Sequence, residues 1–524
     1  MKYLSIFTIG PVQSFIAQAR KLQDLYAGSF LLSHLTKFAM GRAAESGARI
    51  VFPNPNQESA PNRFLAIVEA ASPEDLRKLA DDLEESVRSE FKRIADEVMS
   101  HWGLEPNEAF KRQIDSLPQF YWAAEPYDST DYGRCYINVI KRLGAAKTLR
   151  SFTPLSESFG RKCSLSSEYN ALFCRDRKAA HMTADAYELA AIDDRFLGRD
   201  ETLGAAAFVK RCLKFAIPEF KDNFPSVVDV YKTSGKEYKE DGERGGYYAV
   251  VKFDGDSMGL WYSEPRLEPG RSAEEFQAYL SGRISGFTAN TSRQAVGMNM
   301  RVEGARVNNG VVIYAGGEDS LCMVNLNEVF SALAGLREEF GSIDLSEYTE
   351  GRLTFSAGVV IAHVKMPLSE VLDWARQSEH RAKESHEDKD SYCLTILKHS
   401  GEIIQYCHRF YPCGPDGENG LRTLENLVSI LVSKQVSVSF IYQLSREFER
   451  IAVSSDRSAH REMFLAEARR ILTHAEFENE DDRRNTVEKI MSCLDLLYER
   501  ESNLADLLQY LRAIAFIARE RGGN

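Results

Sequence analysis

Apolar and polar positions divide this chain into four stretches of different character. In the first, residues 1–148, Tyr3 to Ile9 is an apolar run closed by Gly10-Pro11, which predicts a buried strand. Phe15, Ala19, Leu22, Leu25 and Tyr26 follow at three- and four-residue spacing, the period of a helix. Arg63 to Glu69 and Phe120 to Ala124 read as further strands, with a long charged helix, Pro73 to His101, between them. The implied order, strand–helix–strand–strand–helix–strand, is the ferredoxin-like one.

Residues 149–245 read as a helical, cysteine-containing region that closes on a polar, glycine-rich linker, Gly235 to Gly246. In residues 246–400, Tyr247 to Phe253 is an apolar and aromatic strand. Val311 to Tyr314 and Leu321 to Val324 flank Ala-Gly-Gly-Glu-Asp-Ser, which predicts a hairpin. Leu353 to Ala362, a helix from Leu368 to Glu384 and Tyr392 to Leu397 complete a second ferredoxin-like order, so the chain reads as a diverged duplication. Residues 401–524 are helical, with Leu421, Leu424, Leu427, Val428 and Leu431 on one amphipathic face and Leu504, Leu507, Leu508, Leu511 and Ile514 on another. The fold class expected is α+β: two ferredoxin-like domains plus two helical domains.

A chain of 524 residues, 44% hydrophobic, suffices for several cored domains. No apolar run approaches the roughly 18 residues of a membrane span. The apolar run at the N-terminus is too short for a signal peptide. Nine scattered cysteines fit reduced thiols rather than a disulfide framework. These features predict a soluble, cytoplasmic protein. A net charge of −12 argues against a surface that coats nucleic acid, while leaving room for a local basic groove or a basic partner.

Three carboxylates carry the candidate chemistry. Asp254 ends the Tyr247 strand, and Glu318 and Asp319 sit at the hairpin tip. In a ferredoxin-like sheet the first strand and the second–third hairpin are neighbours, so the three acids converge at one sheet end. Carboxylates so close repel and call for cations. Mg²⁺ or Mn²⁺ takes one or two carboxylates plus phosphate oxygens and water, and two such ions about 3.5–4 Å apart activate a hydroxyl nucleophile and stabilise leaving pyrophosphate. Asp254, Gly255, Glu318 and Asp319 are the metal-ligand candidates. Gly255, Asp256, Ser257, Gly316, Gly317 and Lys383 are the nucleotide-binding candidates, the glycines because backbone can approach a triphosphate there. Taken singly, Asp-Gly and Gly-Gly-Glu-Asp are ordinary turns, and Lys383 is an ordinary solvated helix end; their joint placement at strand ends favours function. Lys147, Arg150, Arg161, Lys162, Arg175, Arg177 and Lys178 form the most basic tract, which suits RNA, a neighbouring subunit or plain solvated charge.

The hairpin, the Phe253-Asp-Gly-Asp-Ser-Met-Gly259 strand end and Phe355-Ser-Ala-Gly-Val-Val360 resemble the palm domain of diguanylate cyclases and CRISPR polymerases. Gly10-Pro-Val-Gln-Ser-Phe-Ile-Ala-Gln-Ala-Arg20, with Asp24-Leu-Tyr-Ala-Gly-Ser29 and Leu31-Leu-Ser33, is similar to the large subunits of type III-B (Cmr) CRISPR effector complexes. The resemblance spans two palms and two helical regions. It implies a subunit that works with other Cmr subunits, CRISPR RNA and target RNA. Its second palm would convert ATP to a signalling nucleotide, either cyclic oligoadenylate or AMP joined to a small molecule such as S-adenosylmethionine.

By the same resemblance Asp254, Glu318 and Asp319 are the catalytic metal ligands. Glu318 stands where the family usually has Asp. The first palm, without an acidic pair at its hairpin or an Asp at the end of its first strand, is expected to be inert. Gly10 to Gln13 would serve structure or line the nucleotide pocket. The family's HD nuclease is not expected here, since the chain begins with the first palm and has no His-Asp dipeptide. The paired Cys-x-x-Cys zinc motif is reduced to Cys163, with Cys174, His181 and Cys212 as the nearest further ligands, so zinc is not expected. The rival readings are a non-catalytic scaffold in the same complex and a stand-alone dinucleotide cyclase acting on GTP.

Overall fold

The computed structural model describes residues 1–522 except 150–156, 158, 221–223, 237–245, 264–266, 292–308, 412–416, 434, 450–456, 476, 478–482 and 501–503. The first palm contains β1 (Lys2–Gly10), α1 (Gln13–Ala17), α2 (Leu22–Glu45), β2 (Arg49–Phe52), β3 (Arg63–Glu69), α3 (Pro73–His101), α4 (Glu108–Asp115), β4 (Gln119–Pro126) and α5 (Tyr132–Thr148). Its sheet order is β2-β3-β1-β4, every neighbour antiparallel, which is the ferredoxin-like arrangement. α3 starts at a capping box: the Ser72 hydroxyl accepts from the Asp75 amide, the Asp75 carboxylate accepts from the Ser72 amide, and Pro73 follows the cap.

The second region departs from the helical expectation. Its described residues are mostly turns around two two-residue strands, β5 (Phe173–Cys174) and β6 (Tyr187–Glu188), with short helices α6 (Ala205–Arg211) and α7 (Val227–Lys232). Short polar side chains hold the backbone in turns there. The Asp176 carboxylate accepts from the Lys178 and Ala179 amides, and Asp193 accepts from Arg195. The linker predicted at Gly235 to Gly246 lies mostly outside the described residues.

The second palm contains β7 (Tyr247–Gly255), α8 (Met258–Ser263), α9 (Ala273–Gly286), β8 (Gly310–Gly316), β9 (Asp319–Asn325), α10 (Val329–Gly341), β10 (Phe355–His363), α11 (Leu368–Ser385), β11 (Ser391–Leu397) and β12 (Ile403–Arg409). The sheet order is β12-β11-β10-β7-β9-β8. β7 to β10 form the ferredoxin-like core, α11 crosses over to parallel β11, and β12 pairs antiparallel outside it. The sheet therefore runs past the border expected at residue 400.

α12 (Gly420–Val432), α13 (Ser439–Phe448), α14 (Arg457–Thr473), α15 (Arg483–Arg500) and α16 (Leu504–Gly522) follow, with the two predicted leucine faces buried. Alternate residues of β7 serve two cores. Ala249, Val251 and Phe253 join the core of α10 and the C-terminal helices. Tyr248 and Val250 join Val371, Leu372 and Ala375 of α11 and Ala19, Leu22 and Leu25 of the first palm. That shared core brings the N-terminal segment against the second palm. No helix among the described residues is long and apolar enough to cross a membrane.

Candidate active site

β7 delivers two charged groups to one sheet face, because Lys252 and Asp254 are two residues apart and share the face of Tyr248 and Val250. In register, Asp254 stands opposite Asp319 on β9 and Ser356 on β10. Gly316 and Asp319 pair across a two-residue turn whose first residue, Gly317, has φ +70°. Glycine at that position suits a type II′ hairpin turn. The Gly255 amide donates to the Glu318 carbonyl at 3.1 Å, tying the end of β7 to the hairpin tip. A Cβ on Gly255 would lie 2.8 Å from Met258 Cγ and 2.9 Å from Glu318 Cβ, so glycine is required by contact.

Each acid has its own base. Lys383, in the last turn of α11, bonds Asp254 and also lies 3.0 Å from Glu379 Oε1. Lys252 Nζ donates to Asp319 Oδ1 at 2.7 Å and lies 3.7 Å from Glu379 Oε2. The Tyr314 hydroxyl is 3.3 Å from Asp319 Oδ2. Glu318 turns away to the first palm, 3.7 Å from Arg63 Nη2. Charges therefore alternate along Asp319, Lys252, Glu379, Lys383 and Asp254.

Of the predicted trio, Asp254 and Asp319 stand opposite each other in register, and Glu318, next to Asp319, faces Arg63 while both aspartates add to the rise of its carboxyl. Among the described residues no three His, Cys, Asp or Glu side chains stand together as a ready metal cluster. Carboxylates at one sheet end need cations, and this chain supplies them as side chains. Asp254 and Asp319, opposed on adjacent strands, are the hard oxygen donors that Mg²⁺ or Mn²⁺ takes. The pair fits such an ion once Lys383 leaves Asp254, and Glu318, drawn to Arg63, stands beside them.

The electrostatics follow the burial. Burial pushes the Glu318 carboxyl above the usual range, opposed by Arg63. Burial likewise raises Asp319, opposed by Lys252, with Asp254 adding to the rise. Burial alone would lower Lys252 and Lys383. The carboxylates beside them outweigh it and raise both, Asp319 acting first on Lys252 and Asp254 first on Lys383.

Two of the predicted nucleotide ligands are hydrogen-bonded within the protein. Asp256 is buried, accepting from the Ser356 hydroxyl at 2.8 Å, the Thr354 hydroxyl at 2.9 Å and the Asp390 amide at 3.0 Å. Its carboxylate is filled by protein donors and latches β7 to β10 and β11. Ser257, at φ +53°, accepts from Lys389 Nζ at 3.1 Å. Gly316 packs against Pro61 of the first palm, 3.8 Å from where a Cβ would stand.

A cavity of about 250 Å³ lies between the palms. Thr8, Asn62 and Arg63 line it from one side, and Lys252, Tyr314, Glu318 and Asp319 from the other. Val12, Gln13 and Ile16 form part of its wall, so the N-terminal motif borders it directly. Asp254 and Lys383 are outside the lining. Sequence reasoning missed Lys252, Arg63, Tyr314 and Glu379. Lys252 carried a signal, as the charged residue inside an apolar strand, and Glu379 stands one helical turn before Lys383.

The residues of the basic tract have separate partners. Lys147 lines the cavity. Arg161 donates to the Ala180 carbonyl and Lys162 to the Glu157 carbonyl. Arg175 bonds Asp194, and Arg177 donates to the Ala184 carbonyl. Arg150 lies outside the described residues. Cys163, Cys174 and Cys212 are buried, with burial pushing the Cys212 thiol up to about 12, while His181 is exposed.

Comparison with known proteins identifies two domains. Residues 247–393 match the family model for the Cas10/Cmr2 second palm domain, and residues 4–96 match that for the N-terminal domain of CRISPR-associated protein Cmr2. The CRISPR system Cmr subunit Cmr2 of Pyrococcus furiosus is 28% identical over 200 residues, 34% of this chain and 22% of that protein. The aligned part is thus about a fifth of the relative's length. Among solved structures, the fold is similar to type III-B Cmr-beta in its apo state, with a TM-score of 0.68, 12% identity and coverage of 99% of this chain and 82% of the other. A Csm1–Csm4 cassette in complex with pppApApA matches with a TM-score of 0.53 and 14% identity, over 99% of this chain and 69% of that one.

Proposed function

We infer that this chain, which carries the second palm domain of the Cas10/Cmr2 family and the N-terminal domain of Cmr2, is the large subunit of a type III-B RNA-guided complex and makes a signalling nucleotide from ATP. Its partners on this reading are the other Cmr subunits, CRISPR RNA and target RNA. The observation that carries the reading is the in-register opposition of Asp254 and Asp319, with Asp319 on the wall of a cavity that the N-terminal motif closes from the facing palm.

Asp254 and Asp319, with Gly255 beside them, would hold Mg²⁺ or Mn²⁺. Such a cation lowers the pKa of an attacking hydroxyl and offsets charge on departing pyrophosphate. The chain's own residues do the rest. Arg63, Lys147, Lys252 and Arg376 bring positive charge to the cavity and suit a triphosphate. Gly316 and Gly317 keep side chains off the hairpin tip. Thr8 and Asn62, hydrogen-bonded to each other at 3.1 Å, offer neutral polar groups from a first palm whose β1 ends without a carboxylate. The product is cyclic oligoadenylate, or AMP joined to a small molecule such as S-adenosylmethionine.

The test is the assembled complex with labelled ATP, Mg²⁺ or Mn²⁺ and matching target RNA, products read by mass spectrometry with and without S-adenosylmethionine. The expected product disappears in Asp254→Ala and in Asp319→Ala. No product, or product that persists in both variants, would sink the reading. One observation favours the rival scaffold: the three acids are already neutralised by Lys383, Lys252 and Arg63. The same assay separates the two, since a scaffold yields no nucleotide product under any condition. A stand-alone cyclase would act on GTP without RNA.

A further inference from the structure

Glu379 stands between the two ammoniums of the second-palm site. Its Oε1 lies 3.0 Å from Lys383 Nζ and its Oε2 3.7 Å from Lys252 Nζ. The fold places it there through close approach of α11 to the sheet. Gly358 of β10 is in register with Lys252, and a Cβ on it would lie 2.4 Å from the Glu379 amide nitrogen. The Glu379 side chain is left 13% exposed. Lys383 therefore has two acceptors, and they differ. Asp254 stands near the end of β7 opposite Asp319, with its side chain 31% exposed, where a dissolved cation reaches it. Glu379 lies one helical turn before Lys383, with the acid on the N-terminal side, the order that favours an i,i+4 pair.

We propose that Glu379 is a positioning residue: it takes the Lys383 ammonium when a divalent cation displaces it from Asp254, and so sets how readily the site fills. The inference rests on the nucleotidyl-transfer reading of the site. Lys383 has only 22% of its side chain exposed, so an ammonium pushed off Asp254 needs another acceptor nearby. Glu379 already meets it and requires no shift of the helix. Lys252 leaves that acceptor largely free, since its closer carboxylate is Asp319 at 2.7 Å. Formal charge points the same way. Asp254, Asp319 and Glu379 face Lys252 and Lys383, so a divalent cation takes this row from −1 to +1. In Glu379→Gln the same step runs from 0 to +2, with no carboxylate between Lys383 and Lys252. Glu379 also attracts the cation through its charge alone, and that effect does not need Lys383.

The test measures Mn²⁺ binding to the full-length chain without nucleotide, by loss of the free-ion electron paramagnetic resonance signal, with Asp254→Ala as the background. Glu379→Gln is expected to weaken Asp254-dependent binding by about tenfold or more, in line with the loss of a hydrogen bond to a charged group. Lys383→Met is expected to tighten it, because the competing ammonium is gone. Adding Glu379→Gln to Lys383→Met is expected to change affinity by less than about twofold, the range of independent effects. Glu379→Ala and Lys383→Ala repeat the cycle if either first variant does not fold. Equal weakening by Glu379→Gln in both backgrounds, which is the effect of its charge alone, would overturn the proposal. So would an unchanged affinity in Glu379→Gln, or no tightening in Lys383→Met. Each of these results leaves nucleotidyl transfer untouched. No Mn²⁺ above the Asp254→Ala background in any variant would remove the cation site, and the nucleotidyl-transfer reading with it.

Discussion

Replacing Arg211 by methionine removes a guanidinium that no water reaches. Arg211 ends α6 and joins the second region to the first palm. Its Nη2 donates to Asp24 Oδ2 at 2.9 Å, its Nη1 to Glu201 Oε2 at 3.0 Å and to the Phe196 carbonyl at 3.3 Å, and its Nε also bonds Asp24. Without it, the hydrogen bonds left to the buried Asp24 among the described residues are those from the Arg20 and Lys21 amides, at 3.0 and 3.1 Å. Breaking a buried pair in this way costs about 3–5 kcal/mol. Glu201 gives an independent figure. Burial pushes its carboxyl up, but the Arg211 hydrogen bonds and charge, helped by the Gly198 amide and Lys21, prevail and bring it from 4.5 to about 2. At 1.36 kcal/mol per unit, that shift corresponds to about 3 kcal/mol. The folded value is the lower one, so this stabilisation is complete above about pH 4.5 and is lost as pH falls towards 2. Hydrogen exchange of the α2 and α6 amides reads the loss locally. At neutral pH, Arg211→Met should lower protection by roughly a hundredfold to several thousandfold. Arg211→Met with Asp24→Asn should recover part of it, because the amide oxygen still accepts from Arg20 and Lys21 without a stranded charge. A change below tenfold at neutral pH, or no recovery in the double variant, would refute the reasoning.

Other outcomes follow from contacts already described. Gly358→Ala puts a Cβ 2.4 Å from the Ala375 carbonyl and the Glu379 amide, so α11 must lift from β10; overpacking of this kind costs about 1–3 kcal/mol, seen as a lower melting temperature together with reduced Mn²⁺ binding. Asp256→Ala strands the Ser356 and Thr354 hydroxyls and the Asp390 amide, at about 1–3 kcal/mol, read by thermal melting against Asp256→Asn, which loses less. Gly317→Ala forces an L-residue to φ +70° and costs about 1–2 kcal/mol, with faster hydrogen exchange confined to β8 and β9.

Much of the scaffold was legible because its elements are long, capped or strongly periodic. Pro73 to His101 was read as one long charged helix, and the structure bounds the helix at the same residues. Tyr247 to Phe253 and the Gly-Gly-Glu-Asp turn were read from an apolar run and paired glycines, and both are where the pattern put them. β2 escaped because four residues hold too little alternation. The second region misled because its apolar residues serve a core made with the first palm, while Asp176 and Asp193 hold turns. The site was half legible. A sequence names the acids at strand ends, but their neutralising bases come from β3, β7 and α11, and only the folded chain shows which base meets which acid. Asp256 looked like a ligand because it adjoins Asp254, but it lies one residue beyond Gly255, where its side chain turns to Thr354 and Ser356.

The pairing of Glu318 with Arg63 ties the charge of the second palm to the position of the first. The hairpin carrying Glu318 lies against Pro61, and Arg63 follows two residues later, so one short segment of the first palm both supports the turn and neutralises its tip. That segment is fixed from behind. Asn62 donates to Thr8 and to the Ile9 carbonyl, and the N-terminal motif beyond Ile9 is held by Lys210, which donates to the Phe15 and Gln18 carbonyls at 2.7 and 2.9 Å. Burial pushes Lys210 down to about 8, opposed by Asp24. Burial between the palms raises the Glu318 carboxyl, and Arg63 of the first palm is the charge that opposes that rise. The N-terminal motif and the Arg63 segment are thus held together, and through Arg63 the first palm contributes one of the bases that meet the acids of the site it faces.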